Sequence, residues 1–193
     1  MNLQLPGRDT SEHRLFCWSL PSRYRSATVV LLFSLAGIAL SLHLYNLSGG
    51  YVYDDAYITF RYARNFARGD GLVFQSGSKV LGTTAPLYAV ILGLLSRFTT
   101  QDLPLLSILV SGACFGLTAG LVLLYFPSKR RWIRILSALL VLFHPLLWKL
   151  SATGMETGLF LCLLNLTAVV SSPVLAGLVG AASAFVRPEG ALF

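Results

Sequence analysis

Charge is scarce in this chain: only 12% of its 193 residues are Asp, Glu, Lys or Arg, against about a quarter in a soluble domain. With 55% hydrophobic residues and a mean hydropathy of +0.69, that scarcity excludes a soluble globular enzyme. Cysteine is nearly absent as well. Cys17, Cys114 and Cys162 have no paired spacing, which excludes a disulfide-stapled secreted domain, and the apolar content excludes disorder and collagen. Missing too are the common soluble-enzyme signatures: there is no Gly-rich phosphate loop ending in Lys-Ser/Thr, no HExxH, no CxxC pair and no GxSxG. His13, His43 and His144 are scattered, whereas a zinc site needs three or four convergent ligands. What remains is an all-α, polytopic transmembrane helical bundle. The length supplies about five or six spans of roughly 20 residues plus one substantial loop.

Acidic residues are the rarer sign, 8 against 15 Lys and Arg, for a formal net charge of +7. In a membrane chain that excess speaks of orientation and of anionic lipids. No nucleic-acid partner is expected, because no interleaved aromatic and basic platform of the kind that stacks bases lies outside the apolar runs.

Residues 1–26 read as a cytoplasmic tail in which Arg8, Arg14, Arg23 and Arg25 outweigh Asp9 and Glu12. The membrane-embedded part, 27–193, opens with Ala27 to Leu47, a span too long for the core of a cleaved signal peptide and read here as a signal anchor. Residues 48–84 form the one large hydrophilic stretch, placed on the extracytoplasmic side by the inside start. Within it, Asp55 to Ala67 predicts a helix lying in the membrane interface. Ala56, Phe60, Ala63 and Ala67 share one face, Arg61, Arg64 and Arg68 another, and Gly69-Asp70-Gly71 ends the helix.

Ala85 to Phe98 is apolar but short, followed by a full span from Leu103 to Phe126. Gly112, Gly116 and Gly120 on that span form a doubled GxxxG, which lets a second helix approach closely, either within one subunit or in a dimer. Lys129, Arg130, Arg131 and Arg134 make the densest basic segment, before another short apolar run from Ile135 to Trp148. Thr157 to Val186 is uncharged, and Ser171-Ser172-Pro173 splits it into a helical hairpin. The chain stops at Gly190-Ala191-Leu192-Phe193, at the start of another apolar run, so it is expected to be incomplete at its C-terminus. If every apolar segment crossed, the basic segment would fall outside, against the positive-inside tendency. One segment, Ala85 to Phe98 or its successor, is therefore expected not to cross. The basic segment then falls inside, and the loop around Glu156 falls outside beside Asp54 and Asp55.

Four groups could carry chemistry. Asp54 and Asp55 open the predicted interfacial helix, where an Asp can cap free N–H groups or serve as a general base on an acceptor hydroxyl. Arg61, Arg64 and Arg68 are either a solvated helix face or a phosphate site at lipid headgroup height, to which Lys79 would add. Glu156 lies in a small polar break, Ser151 to Gly158, between two apolar runs. It is a helix start or a functional carboxylate at the membrane edge. Arg187, in Arg187-Pro188-Glu189-Gly190, is an interfacial anchor, or it approaches the same phosphate if the preceding hairpin returns outward.

Tyr53-Asp54-Asp55-Ala56-Tyr57-Ile58-Thr59-Phe60-Arg61-Tyr62-Ala63-Arg64-Asn65, then Gly69-Asp70-Gly71-Leu72-Val73-Phe74 and Gly82-Thr83-Thr84-Ala85-Pro86-Leu87-Tyr88, resemble the N-terminal part of GT-C fold, polyprenyl-phosphate-dependent membrane glycosyltransferases. The similarity is greatest to bacterial arabinofuranosyl- and mannosyltransferase-like proteins. Thr153 to Thr157 and Arg187 to Gly190 fall in the order such proteins have them. The resemblance covers roughly Ala27 to Phe193. It implies a multi-pass protein of the bacterial inner or plasma membrane, an inverting hexosyl- or pentosyltransferase. Such an enzyme passes a sugar from a polyprenyl-phosphate carrier to a glycan, lipid or protein acceptor of the cell envelope, on the extracytoplasmic face.

By that resemblance Asp54 and Asp55 supply the catalytic base, or hold a divalent cation where one takes part, and Glu156 joins them as a catalytic carboxylate. Arg61, Arg64, Lys79 and Arg187 would contact the lipid phosphate. Enzymes of this kind have about twice as many spans, so the half that shapes much of the donor and acceptor pockets is expected to be missing. The rival readings are a non-catalytic transporter or lipid-binding protein, and an inactive truncated remnant. A transporter would be expected to carry inverted repeats, and none is visible.

Overall fold

Two long apolar runs become the two longest helices, and their contact sets the arrangement of the rest. The computed structural model describes residues 23–77 and 82–192; most of the tail, and Lys79, lie outside them. The chain folds as α1 (Arg23–Leu47), α2 (Asp54–Arg68), α3 (Pro86–Ser96), α4 (Leu103–Tyr125), α5 (Arg131–Leu142), α6 (Pro145–Ser151), α7 (Thr157–Val169) and α8 (Pro173–Val186), closed by a 3-10 helix at Pro188–Leu192. No strand occurs among the described residues. Proline sits in the first two positions of α3, α4, α6 and α8, where its fixed φ suits a helix start and its missing N–H costs nothing.

Ala27–Leu47, with 21 residues, and Leu103–Tyr125, with 23, are long and apolar enough to cross a membrane, and α5 with α6, bent by 48°, makes a third if the pair counts as one span. This corrects the five or six spans that length alone allows. Helices α3, α7 and α8 have 11, 13 and 14 residues, reaching only about 16 to 21 Å at ~1.5 Å per residue, against a hydrocarbon core of about 30 Å.

Helix α4 is the hub, packing against α1, α3, α5, α6 and α7. Its glycines meet α1: Val30 and Phe33 lie against Gly120, Phe33 and Ser34 against Gly116, and Ile38 and Ser41 against Gly112. Partner numbers fall as α4 numbers rise, so the two helices are antiparallel. The doubled GxxxG is thus occupied within one chain. A Cβ on Gly116 would strike the Phe33 carbonyl oxygen, and one on Gly37 would strike that of Gly112.

Antiparallel packing brings the end of α1 and the start of α4 to one end of the molecule. The short α3 lies between them at that end. It lies along α2, where Ala56, Phe60 and Ala63 bury against Ala85, Tyr88 and Leu92, with Leu103 and Leu106 of α4 completing the cluster. Helix α2 is one residue longer at each end than expected and closes with the Asp70 N–H on the Asn65 carbonyl at 3.0 Å and the Gly69 N–H on that of Phe66 at 3.1 Å, a Schellman ending.

The bent α5–α6 pair returns to the same end. Trp148 Nε1 donates to the Leu40 carbonyl at 2.9 Å, the Ser41 and Ser151 hydroxyls are 2.7 Å apart, and the Tyr53 N–H donates to the Thr153 carbonyl at 3.2 Å. The loop after α1 and the loop before α7 are therefore neighbours.

Gly116→Val is expected to lower stability by about 1–3 kcal/mol or more, since added volume has no room to relax against backbone. Gly120→Ala, whose Cβ would meet its nearest atom at 3.3 Å, should cost less. Unfolding temperatures in detergent read both, and a Gly116→Val chain as stable as wild type would contradict this packing.

Candidate functional site

Four stretches of chain meet at the end of the molecule where α1 finishes. The first turns of α2 bring Asp55, Ile58 and Thr59, and the loop before α3 brings Gly82, Thr83 and Thr84. The turn before α7 adds Met155 and Glu156, and the segment after α8 adds Arg187, Pro188 and Glu189. Together they line a cavity of about 440 Å³. Each stretch is held in place by its own contacts. The Tyr62 hydroxyl accepts the Gly82 N–H at 2.7 Å, fixing the pre-α3 loop to α2. Thr83 Oγ1 accepts the Ala85 N–H at 3.2 Å at the head of α3, and the Ser111 hydroxyl on α4 donates to the Met155 carbonyl at 2.8 Å.

Glu156 is the most enclosed charge. Its carboxylate Oε1 accepts from Arg187 Nε at 2.8 Å, with the two side chains 9% and 30% exposed. Arg187 Nη2 also donates to Thr157 Oγ1 at 3.3 Å. The pair spans 31 residues because the α7–α8 hairpin turns at Ser171-Ser172-Pro173 and brings the chain back to where it left. Gly154, at φ +80, makes the preceding turn, and a Cβ there would approach Val52 Cγ1 to 2.9 Å. This is the single ion pair among the described residues.

The carboxylates of Asp54 and Asp55 behave differently. Neither caps α2, since the helix starts at Asp54 after an N-cap residue, Tyr53, that makes no side-chain cap bond. Both lie in the first turn, where negative charge suits the helix dipole. Both are exposed; Asp55 lines the cavity and makes no hydrogen bond or ion pair among the described residues, whereas Asp54 does not line it.

The arginines do not stand beside the carboxylates, as the sequence reading placed them. Residues six apart on a helix are separated by about 240°, so Asp55 and Arg61 face different ways. Arg61, Arg64 and Arg68 line a separate groove of about 360 Å³ with Tyr57 and Phe60. Arg61 is already engaged, its Nε donating to the Phe74 carbonyl at 3.0 Å and its guanidinium 4.7 Å from the Phe74 ring centroid. Of the proposed phosphate contacts, Arg187 alone shares a cavity with Asp55 among the described residues.

Thr59, Thr83, Thr84 and Glu189 line the same space and were not foreseen. Thr59 is four residues from Asp55 and so on its face of α2, a signal that was available; the pre-α3 loop carried none beyond its hydroxyls. No three His, Cys, Asp or Glu side chains converge to hold a metal ion among the described residues. Of the two acidic residues expected to hold a cation where one takes part, Asp55 lines the cavity and Asp54 does not.

No protein-family model, curated protein or solved structure matches this chain.

Removing one partner of the Glu156–Arg187 pair leaves the other charge enclosed, so Arg187→Gln and Glu156→Gln should each destabilise by about 1–3 kcal/mol. The double variant should cost less than the sum, with a coupling of roughly 0.5–3 kcal/mol. A double-mutant cycle on unfolding temperature measures it; strict additivity would mean the pair contributes nothing.

Proposed function

We propose that this chain is a membrane glycosyltransferase module that moves a sugar from a polyprenyl-phosphate-linked donor to a hydroxyl of a cell-envelope glycan, lipid or protein. The observation that carries the reading is the cavity itself: an unpartnered carboxylate, Asp55, faces the same space as a guanidinium, Arg187, held in place by an enclosed carboxylate. Transfer from a phosphate-linked donor needs a base for the acceptor proton and a cation for the departing phosphate.

In this mechanism Asp55 takes the proton as the acceptor oxygen bonds to the anomeric carbon. The bond from that carbon to the phosphate oxygen breaks, and the electron pair leaves with the phosphate. Arg187 is a planar donor matched to phosphate oxygens. Glu156, already bonded to Arg187, acts as a positioning residue rather than a second base. Thr59, Thr83 and Thr84 offer hydroxyls to a polyhydroxylated substrate.

The membrane placement follows the charge. Segment 126–134 lies at the end opposite this cavity, so the positive-inside tendency makes the basic end cytoplasmic and the cavity extracytoplasmic. Helices α1 and α4 and the bent α5–α6 pair then cross, while α7 and α8 form a half-depth hairpin in a multi-pass protein of the bacterial plasma membrane. One observation favours a second reading, a non-catalytic lipid-binding membrane protein: the α2 arginines face away from the carboxylates.

Transfer assays in membranes carrying the protein, with a panel of sugar-loaded polyprenyl phosphates, separate the two. Asp55→Asn is expected to lower turnover by about 10²–10⁴-fold, and Asp54→Asn by much less, with both proteins inserted normally. Near-normal turnover in Asp55→Asn would overturn the assignment, and sugar-independent lipid binding would favour the alternative.

A further inference from the structure

The arginine face of α2 has no role in the carboxylate cavity. The two spaces share no lining residue. Four features define what it can hold.

First, the face is fixed in height. The opposite side of α2 is buried with Leu103 and Leu106, in the first turn of the span α4. The helix therefore lies level with the end of a span, where lipid headgroups sit. Second, the groove is built before any ligand arrives. Asn65 Nδ2 donates to the Val73 and Phe74 carbonyls at 2.8 and 3.0 Å, and Arg61 is clamped on the same Phe74. Third, the remaining cations are uncommitted: Arg64 and Arg68 are exposed and form no hydrogen bond or ion pair among the described residues. Fourth, no carboxylate lines the groove. Like charges at i, i+3 and i+4 disfavour one another on a helix, so three arginines lining one groove with no acid among its lining residues suit an external anion. Exposed Tyr57 beside it adds the amphipathic ring typical of a headgroup boundary.

We propose that this groove binds the phosphodiester headgroup of an anionic membrane phospholipid, with Arg64 and Arg68 as the phosphate contacts and Arg61 holding the groove's wall. The bound lipid seats α2 on the membrane surface and is neither donor nor acceptor in a transfer reaction.

The test uses the full chain in neutral detergent, with unfolding temperature as readout and water-soluble dihexanoyl lipids as probes. Dihexanoyl phosphatidylglycerol is expected to raise the unfolding temperature by about 5 °C at roughly 100 times its Kd. Dihexanoyl phosphatidylcholine and inorganic phosphate at the same concentration should leave it unchanged. Arg64→Gln/Arg68→Gln should start from the wild-type unfolding temperature, both side chains being exposed, and lose at least half of the shift. Arg68→Gln alone should lose part of it, which keeps the test open if the double variant does not purify. Asp55→Asn should keep the whole shift, so failure of the transferase reading leaves this result standing. An undiminished shift in the arginine variants would overturn the proposal, as would an equal shift with phosphatidylcholine. Full reproduction by inorganic phosphate would identify a free-anion site instead and overturn the lipid assignment.

Discussion

The backbones of α1 and α4 approach so closely at Gly37, Gly112 and Gly116 that no side chain fits between them. In a bilayer the hydrophobic effect does not drive two apolar helices together, so van der Waals contact between small residues carries much of the association. Because the crossing is antiparallel, every later segment is sorted to one of two ends. The loop after α1, the start of α4 and the turn before α7 share one end, and segment 126–134 takes the other. Helix α3 can then be short, because it starts and ends on the same side of the α1–α4 crossing.

The candidate site depends on that sorting and on one further device, the α7–α8 hairpin. Neither helix is long enough to reach the far side, so the chain returns to the end it left and sets Arg187 against Glu156. An ion pair that is half enclosed has little surplus stability to offer, because desolvation consumes much of the Coulomb attraction. Its value is geometric. It aims a guanidinium into a space that also holds Asp55, and the Tyr53–Thr153 backbone bond ties the two sides of that space together.

Much of this was legible in the sequence. Uncharged run lengths gave α1 and α4, Pro173 gave the hairpin, and the alternation of alanine and arginine gave α2 with its buried and basic faces. The charge of segment 129–134 asks that Ala85 to Phe98 or its successor fail to cross, and α3, at 11 residues, is shorter than a span. Length arithmetic allows about five or six spans, whereas two helices, or three with the bent α5–α6 pair, are long and apolar enough to cross among the described residues. Grouping Asp55 with Arg61 and Arg64 was wrong because nearness in sequence is not nearness on a helix face. Glu156 and Arg187 are 31 residues apart, and no local periodicity encodes which partner a returning arginine meets; the sequence left open whether the hairpin returns outward.

Gathering of the site at one membrane face, opposite the basic segment, is the claim on which the functional reading rests. Single cysteines at Ser48, Ser128 and Glu189, in a chain whose native Cys17, Cys114 and Cys162 are replaced by serine or alanine, test it with a membrane-impermeant maleimide on intact cells. The account predicts labelling at Ser48 and Glu189, and labelling at Ser128 only after the membrane is opened. Labelling of Ser48 and Glu189 from opposite sides, or of Ser128 from the same side as Ser48, would contradict it.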